Sequence, residues 1–479
     1  MRRTFGKLLP LALAAPFLLA GCGGAGDETS APPPPAGPAT GAPAAGNIAA
    51  SDAAPKEGSP PRKVVTPETV IDSKGLSKVV KEEEKGGEAA ASPSPTDYLW
   101  QLAKDELIQD EPLTPKLPRP LPALTLNVYV PAANPLTKGK VELGKQLYFD
   151  PRVSLDGTVS CATCHNPEKG WTDGAPVSTG IDGLKGDRSA PTVLNTAYGK
   201  TMFWDGRAPS LEAQAQGPVQ NPIEMGKQSY KQIIERLRTI SGYREQFQKV
   251  FGTDVTLDGM AKAIAAFERV TAVSGNSKYD KYTAGDLKAL DDSEKRGMVL
   301  FGLRASPDDD FKTDAVLKKA MCTSCHVGFN FTDEQFHNLG IGWDPAQKSF
   351  KDKGRWAVTP IGARNNAEIG AFKTPTVRDA ARTGPYMHDG SLKTLEEVVE
   401  HYNKGGNPNP FLDNDLKKPL NLTDQEKKDV VAFMKALTGE EIAVELPKLP
   451  AGPDGKTPDP RSALKAPAPK TAFHPSTVR

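Results

Sequence analysis

Cysteine and histidine are scarce in this chain, five and six in 479 residues, and aromatic residues make up only 7%. Five cysteines are an odd number and too few to read as a disulfide framework at this length. An excess of charge of one sign is also missing, since 60 lysines and arginines face 59 aspartates and glutamates. Removing Arg2, Arg3 and Lys7, which stand in a segment expected to be cleaved, leaves the balance slightly acidic. Nothing there favours nucleic acid as a partner. No apolar run is long enough to hold the chain across a bilayer, because the longest, Leu8 to Ala20, is too short. Glycine and proline, 44 each, are too few and too unevenly spread for collagen, and with 38% hydrophobic residues the chain is not disordered throughout. Disordered flanks around a folded middle are expected, and the length allows two or three domains.

Arg2, Arg3 and Lys7, the apolar run and the small residues after it have the charged, apolar and cleavage regions of an export signal. Leu19-Ala20-Gly21-Cys22 resembles a bacterial lipoprotein signal, with Cys22 as the acylated first residue of the mature protein; the competing reading is an ordinary secretory signal. A periplasmic protein is expected, lipid-anchored and, by analogy from Gly23, at the outer membrane. Residues 22–95, rich in Ala, Pro, Gly, Lys and Glu, read as a disordered tether. Residues 447–479, with eight prolines, read as a tail that lies along the surface or is disordered. The folded part is then about residues 96–446.

The other four cysteines form one device used twice. Cys161-Ala-Thr-Cys164-His165 and Cys322-Thr-Ser-Cys325-His326 are both C-x-x-C-H, the attachment sequence of c-type haem. Two thiols one helical turn apart add to the two vinyl groups, and the adjacent histidine, His165 or His326, is carried to the iron as proximal ligand. The competing reading, one zinc site built from two Cys-x-x-Cys half-sites, does not require a histidine after both pairs.

The segments ahead of the motifs echo one another, Leu143-Gly-Lys-Gln-Leu-Tyr-Phe149 and Arg296-Gly-Met-Val-Leu-Phe301. Helical spacing recurs at Ile233, Ile234 and Leu237, at Met260, Ile264 and Phe267, and at Val430, Phe433 and Leu437 after the capping box Thr423-x-x-Glu426, with Gly439 closing that helix. Strand-like alternation is scarce. The fold class expected is mainly α, two tandem cytochrome c-like domains over 96–285 and 286–446, each carrying one covalently bound haem c.

Longer motifs are more specific. Asp187-Arg-Ser-Ala-Pro-Thr-Val-Leu-Asn195, Phe203-Trp-Asp-Gly-Arg-Ala208, Gln214-Ala-Gln-Gly-Pro-Val-Gln-Asn-Pro-Ile-Glu-Met225, Phe372-Lys-Thr-Pro-Thr-Val-Arg378 and Pro385-Tyr-Met-His-Asp-Gly390 resemble the bacterial dihaem cytochrome c peroxidase and MauG family, from about Pro135 to Gly439. The resemblance implies that the N-terminal haem meets peroxide, with Glu224 and Gln214 in its distal pocket. A single carboxylate facing an open iron can take a proton from peroxide and return it to the leaving oxygen, which makes Glu224 the acid/base residue and Gln214 an orienting hydrogen-bond partner. Trp204 matches the residue between the two haems, a route for electrons. Ser189 and the carbonyls of Thr383 and Pro385 match an inter-haem calcium site, although relatives have Asn where this chain has Ser189.

Two departures point to the MauG-like branch. The loop histidine that binds the peroxidatic iron of many relatives at rest is matched by Ile181, and none of the six histidines, His165, His326, His337, His388, His401 and His474, lies in that loop. The first haem is therefore expected to keep an open position without reductive activation. The sixth ligand of the second haem, a methionine in peroxidases, is matched by Tyr402, as in MauG. Thr394-Leu-Glu-Glu397 is a capping box, and Leu395, Val398, Val399 and Tyr402 share one helical face. Met387 is the competing ligand. An anionic oxygen on iron lowers the potential relative to a thioether.

The function expected is an oxidoreductase: a dihaem peroxidase that reduces hydrogen peroxide to water with electrons entering through the C-terminal haem from a small periplasmic cytochrome c or a cupredoxin. The alternative is a MauG-like enzyme that uses a high-valent dihaem state to oxidise residues of a partner protein, with Trp343 and Trp356 in the half that would need an aromatic route. A non-catalytic dihaem electron carrier is the third reading and leaves Gln214, Glu224 and Trp204 without a purpose. The cofactors expected are two haem c and, at the Ser189 position, one calcium ion. A homodimer is left open.

Overall fold

The computed structural model describes residues 70, 71, 77, 78, 110–309, 311, 319–440 and 443–468. The expected export signal, Cys22, nearly all of the tether and the tail residues 469–479 lie outside the described residues. The chain divides into two units, Met1–Ala91 and Ser92–Arg479. In the first, strand β1 (Val70–Ile71) pairs antiparallel with β2 (Ser77–Lys78). The second is mostly helical, and no described helix is long and apolar enough to cross a membrane.

Local capping sets the helix starts in this second unit. Helix α1 (Lys138–Phe149) is capped by Thr137, whose hydroxyl accepts from the Lys140 N–H, and it buries Val141, Leu143, Leu147 and Tyr148. The first motif forms the single turn α2 (Cys161–Cys164). Short α3 (Leu211–Gln214) precedes α4 (Tyr230–Arg238), which opens on a Ser229/Gln232 capping box and buries Ile233, Ile234 and Leu237. Helices α5 (Ser241–Phe251) and α6 (Leu257–Thr271) complete the first half. The second half holds α7 (Lys278–Thr283), α8 (Asp292–Phe301), α9 (Arg355–Val358), α10 (Leu395–Asn403) and α11 (Asp424–Ala436). Two small antiparallel pairs join it: β3 (Phe336–Asn338) with β6 (Ala371–Lys373), and β4 (Trp343–Asp344) with β5 (Ser349–Phe350).

The expected capping boxes at Thr394/Glu397 and Thr423/Glu426 are both formed. Gly439 does not close α11. The helix ends at Ala436 with Leu437 at φ −83°, not left-handed, and Gly439 is needed for space, because a Cβ there would run into the Ser274 hydroxyl and Gly275.

Packing repeats across the two halves. α1 crosses α6 at Gly144, where a Cβ would meet the carbonyl of Ala263 and the side chain of Phe267; α8 crosses α11 at Gly297, where it would meet the carbonyl of Asp429 and the side chain of Phe433. Ala190-Pro-Thr-Val193 and Thr374-Pro-Thr-Val377 each lead to a left-handed residue, Asn195 or Asp379. The bridges Met202–Ala208 and Tyr386–Leu392 close matching turns, with Phe203 and Met387 both left-handed. One apolar core surrounds the α1–α6 crossing and another the α8–α11 crossing. The second is pinned by Arg378, 1% exposed, whose guanidinium donates twice to Asp280 at 2.9 Å. Gly297→Ala should cost about 1–3 kcal/mol through overpacking of that crossing, read as a lower denaturation midpoint; an unchanged midpoint would refute the close approach.

After α11 the chain returns to the first core. Val444 and Leu446 pack against it, and Leu449, Ala463 and Leu464 are buried. Arg152 donates to the Pro450 carbonyl at 3.0 Å, and Thr163, inside the first Cys-x-x-Cys, donates to the Ala463 carbonyl at 2.7 Å.

Candidate active site

The first motif is held from three sides. The Ser160 N–H donates to the Thr163 hydroxyl at 3.0 Å, Thr163 is tied to Ala463, and Tyr148 donates to the His165 carbonyl at 2.8 Å. Cys161 and Cys164 are free thiols. Burial pushes both thiols up, Cys164 to about 12, with nearby carboxylates including Glu224 adding to it. Burial also favours the neutral form of the His165 ring, and among the described residues its Nδ1 has no hydrogen-bond partner.

The second motif opens on the single turn Cys322–Ser324, with Cys325 and His326 following it. Its cysteines are also free thiols. His326 is kept neutral by burial, and its Nδ1 lies 3.0 Å from the Phe331 carbonyl, which fixes the tautomer and leaves Nε2 for a metal. A cavity of about 310 Å³ runs past Cys322, Cys325 and His326.

These residues fit a thioether-bound haem at each motif: paired free thiols, a neutral histidine beside them, an orphaned ring nitrogen at the first and an apolar cavity at the second. They do not fit a shared zinc site. Cys161 packs against one core and Cys322 against the other, and among the described residues no metal-ligating cluster joins the two pairs. Cys325, Asp333 and His337 do bring ligand atoms within 4.8 Å of one another, but a thioether at Cys325 removes that group's sulfur anion.

Glu224 stands on a loop pressed between two others. The Ile181 N–H donates to the Glu224 carbonyl at 2.9 Å, and the Leu155 N–H donates to the Met225 carbonyl at the same distance. Gly180 is required there, since a Cβ would strike the carbonyls of Ile223 and Glu224. The carboxylate accepts from Asn221 Nδ2 at 2.6 Å. Burial raises its pKa, while the Arg207 charge and the Asn221 hydrogen bond oppose the rise. Gln214 ends α3, ten residues before it. Ile181 is 4% exposed and packs into the first core.

The cavity at the second motif extends to Trp204, Ser189, Thr383 and Pro385. Trp204 donates from Nε1 to the Ser189 carbonyl at 2.9 Å, and the Ser189 N–H donates to the His388 carbonyl at 2.7 Å. Tyr402 and Met387 line the same cavity. Burial pushes the Tyr402 phenol up, with the charges of Cys322 and Cys325 adding to it. Leu395, Val398 and Val399 are buried on the same helical face.

Comparison with known proteins settles the family. A family model described as di-haem cytochrome c peroxidase matches residues 138–288. The methylamine utilization protein MauG of Methylorubrum extorquens is 42% identical over 322 residues, 67% of this chain and 84% of that protein. The chain belongs to the di-haem cytochrome c peroxidase and MauG family. The cytochrome c551 peroxidase of Nitrosomonas europaea is 38% identical over 67% of this chain and 86% of its own. Among solved structures, a MauG-like protein associated with microbial copper homeostasis aligns at a TM-score of 0.58 and 32% identity, covering 68% of this chain and 97% of that one.

As a dihaem peroxidase-type protein it is an oxidoreductase acting on peroxide, with haem c as its cofactor. Several groups around its haem sites escaped the sequence reading. Phe372 stacks on His388 with ring centroids 3.6 Å apart, and Arg188 links Asp205 to Asp352 beside them. His337 sits between Asp413 at 2.6 Å and Asp333 at 3.0 Å. A hydrogen bond to Cys325, burial notwithstanding, and the two carboxylates hold the ring at about 10; thioether formation removes the first of these. Arg207 lies 3.5 Å over the Phe203 ring and bears on Glu224. No local pattern marks Arg188 with Asp352 or His337 with Asp413, because those partners are 164 and 76 residues apart. Glu268 is different: it stands four residues after Ile264, on the apolar face of α6, and that spacing is visible in the sequence.

Proposed function

We propose that this chain reduces hydrogen peroxide to water at the haem of Cys161, Cys164 and His165, starting from the fully ferric state. The observation that carries the reading is the Ile181 loop. Where relatives place a histidine that must leave the iron, this chain has a buried aliphatic residue whose N–H is tied to the Glu224 backbone. The bound haem supplies the iron site at which peroxide accepts two electrons. Glu224 would take a proton from one oxygen of peroxide and return it to the other; a carboxyl whose pKa burial has raised does both more readily than an ordinary carboxylate. Gln214 orients peroxide and water. The haem that Cys322, Cys325 and His326 would hold would supply the entry for electrons from a small cytochrome c or a cupredoxin, with Trp204 as the route between the two sites. The periplasmic location, the Cys22 anchor, and a calcium ion held by Ser189 and the carbonyls of Thr383 and Pro385 belong to the same proposal.

A MauG-like oxidation of a partner protein is the second reading. It is favoured by Tyr402 on the wall of the second cavity and by the identity to MauG.

The test is peroxide-dependent oxidation of a reduced small c-type cytochrome by enzyme that begins fully ferric. Immediate turnover is expected. Turnover only after reductive treatment would overturn the proposal, and a long-lived oxidised enzyme without cytochrome turnover would favour the second reading. With Ile181 offering no ligand, the diferric protein as isolated should also show a high-spin ferric signal by electron paramagnetic resonance; low-spin iron alone would mean that another side chain closes the site.

A further inference from the structure

Glu268 is a buried acid for which the peroxide chemistry has no use. It continues the buried face of Met260, Ile264 and Phe267 on α6, is 5% exposed, and its Oε2 has no hydrogen-bond partner among the described residues. A polar atom so placed is costly unless it faces a group that completes it. Tyr148 on α1 and Cys161 of the first motif are both near enough to feel its charge.

The internal repeat tells which way it faces. Aligning the crossing at Gly144 with that at Gly297 pairs Phe267 with Phe433 and therefore Glu268 with Met434; it likewise pairs Tyr148 with Phe301. Met434 and Phe301 both line the cavity at the second motif. Glu268 and Tyr148 thus form the corresponding wall at the first, a polar pair where the second haem has an apolar one.

The charges facing Glu268 are few. Arg269, its neighbour on α6, is committed to Glu212 of α3 through hydrogen bonds of 2.6 and 2.9 Å. The Tyr148 phenol is held well above its usual range by burial and stays neutral, and Cys161 is uncharged once it is a thioether. Burial lifts the Glu268 carboxyl to about 8, with Arg269 opposing the rise and Glu212 adding to it.

We propose that Glu268 is a redox-linked proton site of the first haem, holding a proton while the iron is ferrous and releasing it to solvent when an electron is withdrawn. The inference rests on the reading that Cys161, Cys164 and His165 hold that haem. Each electron removed leaves one more positive charge in a poorly screened interior, and a carboxylate formed beside it offsets that charge. Reduction reverses both transfers, so electron and proton move together.

The test is a spectroelectrochemical titration of the first haem's ferric/ferrous couple against pH, on the full-length protein with both haems. In the wild type the equilibrium should shift tenfold per pH unit, ~59 mV for one electron, over the window between the carboxyl's two pKa values. Glu268→Gln should flatten that window. If the slope survives the substitution, the proposal is wrong. Glu268→Met, which installs the residue found at the corresponding place in the second half, should give the same flat profile and guards against a folding defect of the Gln variant. Redox-difference infrared spectra should show a carboxylic acid C=O band lost on oxidation and absent from both variants; no such band in the wild type also overturns the proposal. Peroxide turnover measured on the same samples separates the two ideas, since a wild type with the slope but without turnover fails only as a peroxidase.

Discussion

Replacing Glu224 with glutamine should lower peroxide turnover by ~10²–10⁴-fold, the range that positioned acid–base groups contribute. Glutamine keeps an oxygen to accept from Asn221 Nδ2, so the loop clamped by Ile181 and Leu155 should survive while the exchangeable proton is lost. The pH profile carries the sign. Burial raises the Glu224 pKa, and the anion is the form that accepts peroxide's proton. Wild-type turnover should therefore fall as pH drops through that raised value, and the Gln variant should lose this limb. Stopped-flow traces of haem oxidation by peroxide would measure both effects. A loss under tenfold, with the acid limb retained, would move the base to another group.

Tyr402→Met should raise the midpoint potential of the second haem by on the order of 100 mV, a modest part of the ~0.8 V that axial ligands span. The phenol is held protonated by burial in the chain alone; binding ferric iron would remove that proton, and the resulting anionic oxygen favours ferric over ferrous iron. A thioether has no charge to lend. The variant should accept electrons from higher-potential donors and should be a poorer store of oxidising equivalents between the two haems. Potentiometry with optical detection decides it. An unchanged potential and spectrum would pass the ligand role to Met387, which lines the same cavity.

Features that depend on neighbours in sequence were legible. The capping boxes at Thr394 and Thr423 formed because their partners lie three residues on. The face carrying Leu395, Val398 and Val399 toward the core follows from helical period alone. Gly439 shows where such reasoning fails. It stands where a helix-closing glycine would stand, yet what demands glycine there is Ser274 and Gly275, more than 160 residues earlier. The return of residues 447–468 to the first core escaped notice for a related reason: its prolines carry no period, and its buried residues, Pro447, Leu449, Ala463 and Leu464, are scattered.

By itself, then, the sequence determined a mainly helical protein with two C-x-x-C-H motifs, membership of the dihaem peroxidase and MauG family, and the missing histidine at Ile181. All of these are written in residues close together along the chain, where bonding geometry and helical pitch dictate who meets whom. Only the tertiary structure decided that the Ile181 N–H holds the Glu224 carbonyl, that Thr163 is tied to Ala463 three hundred residues away, and that Glu268 takes on α6 the place that Met434 takes on α11. Such partners are far apart along the chain, and close packing selects them by shape and space rather than by sequence distance.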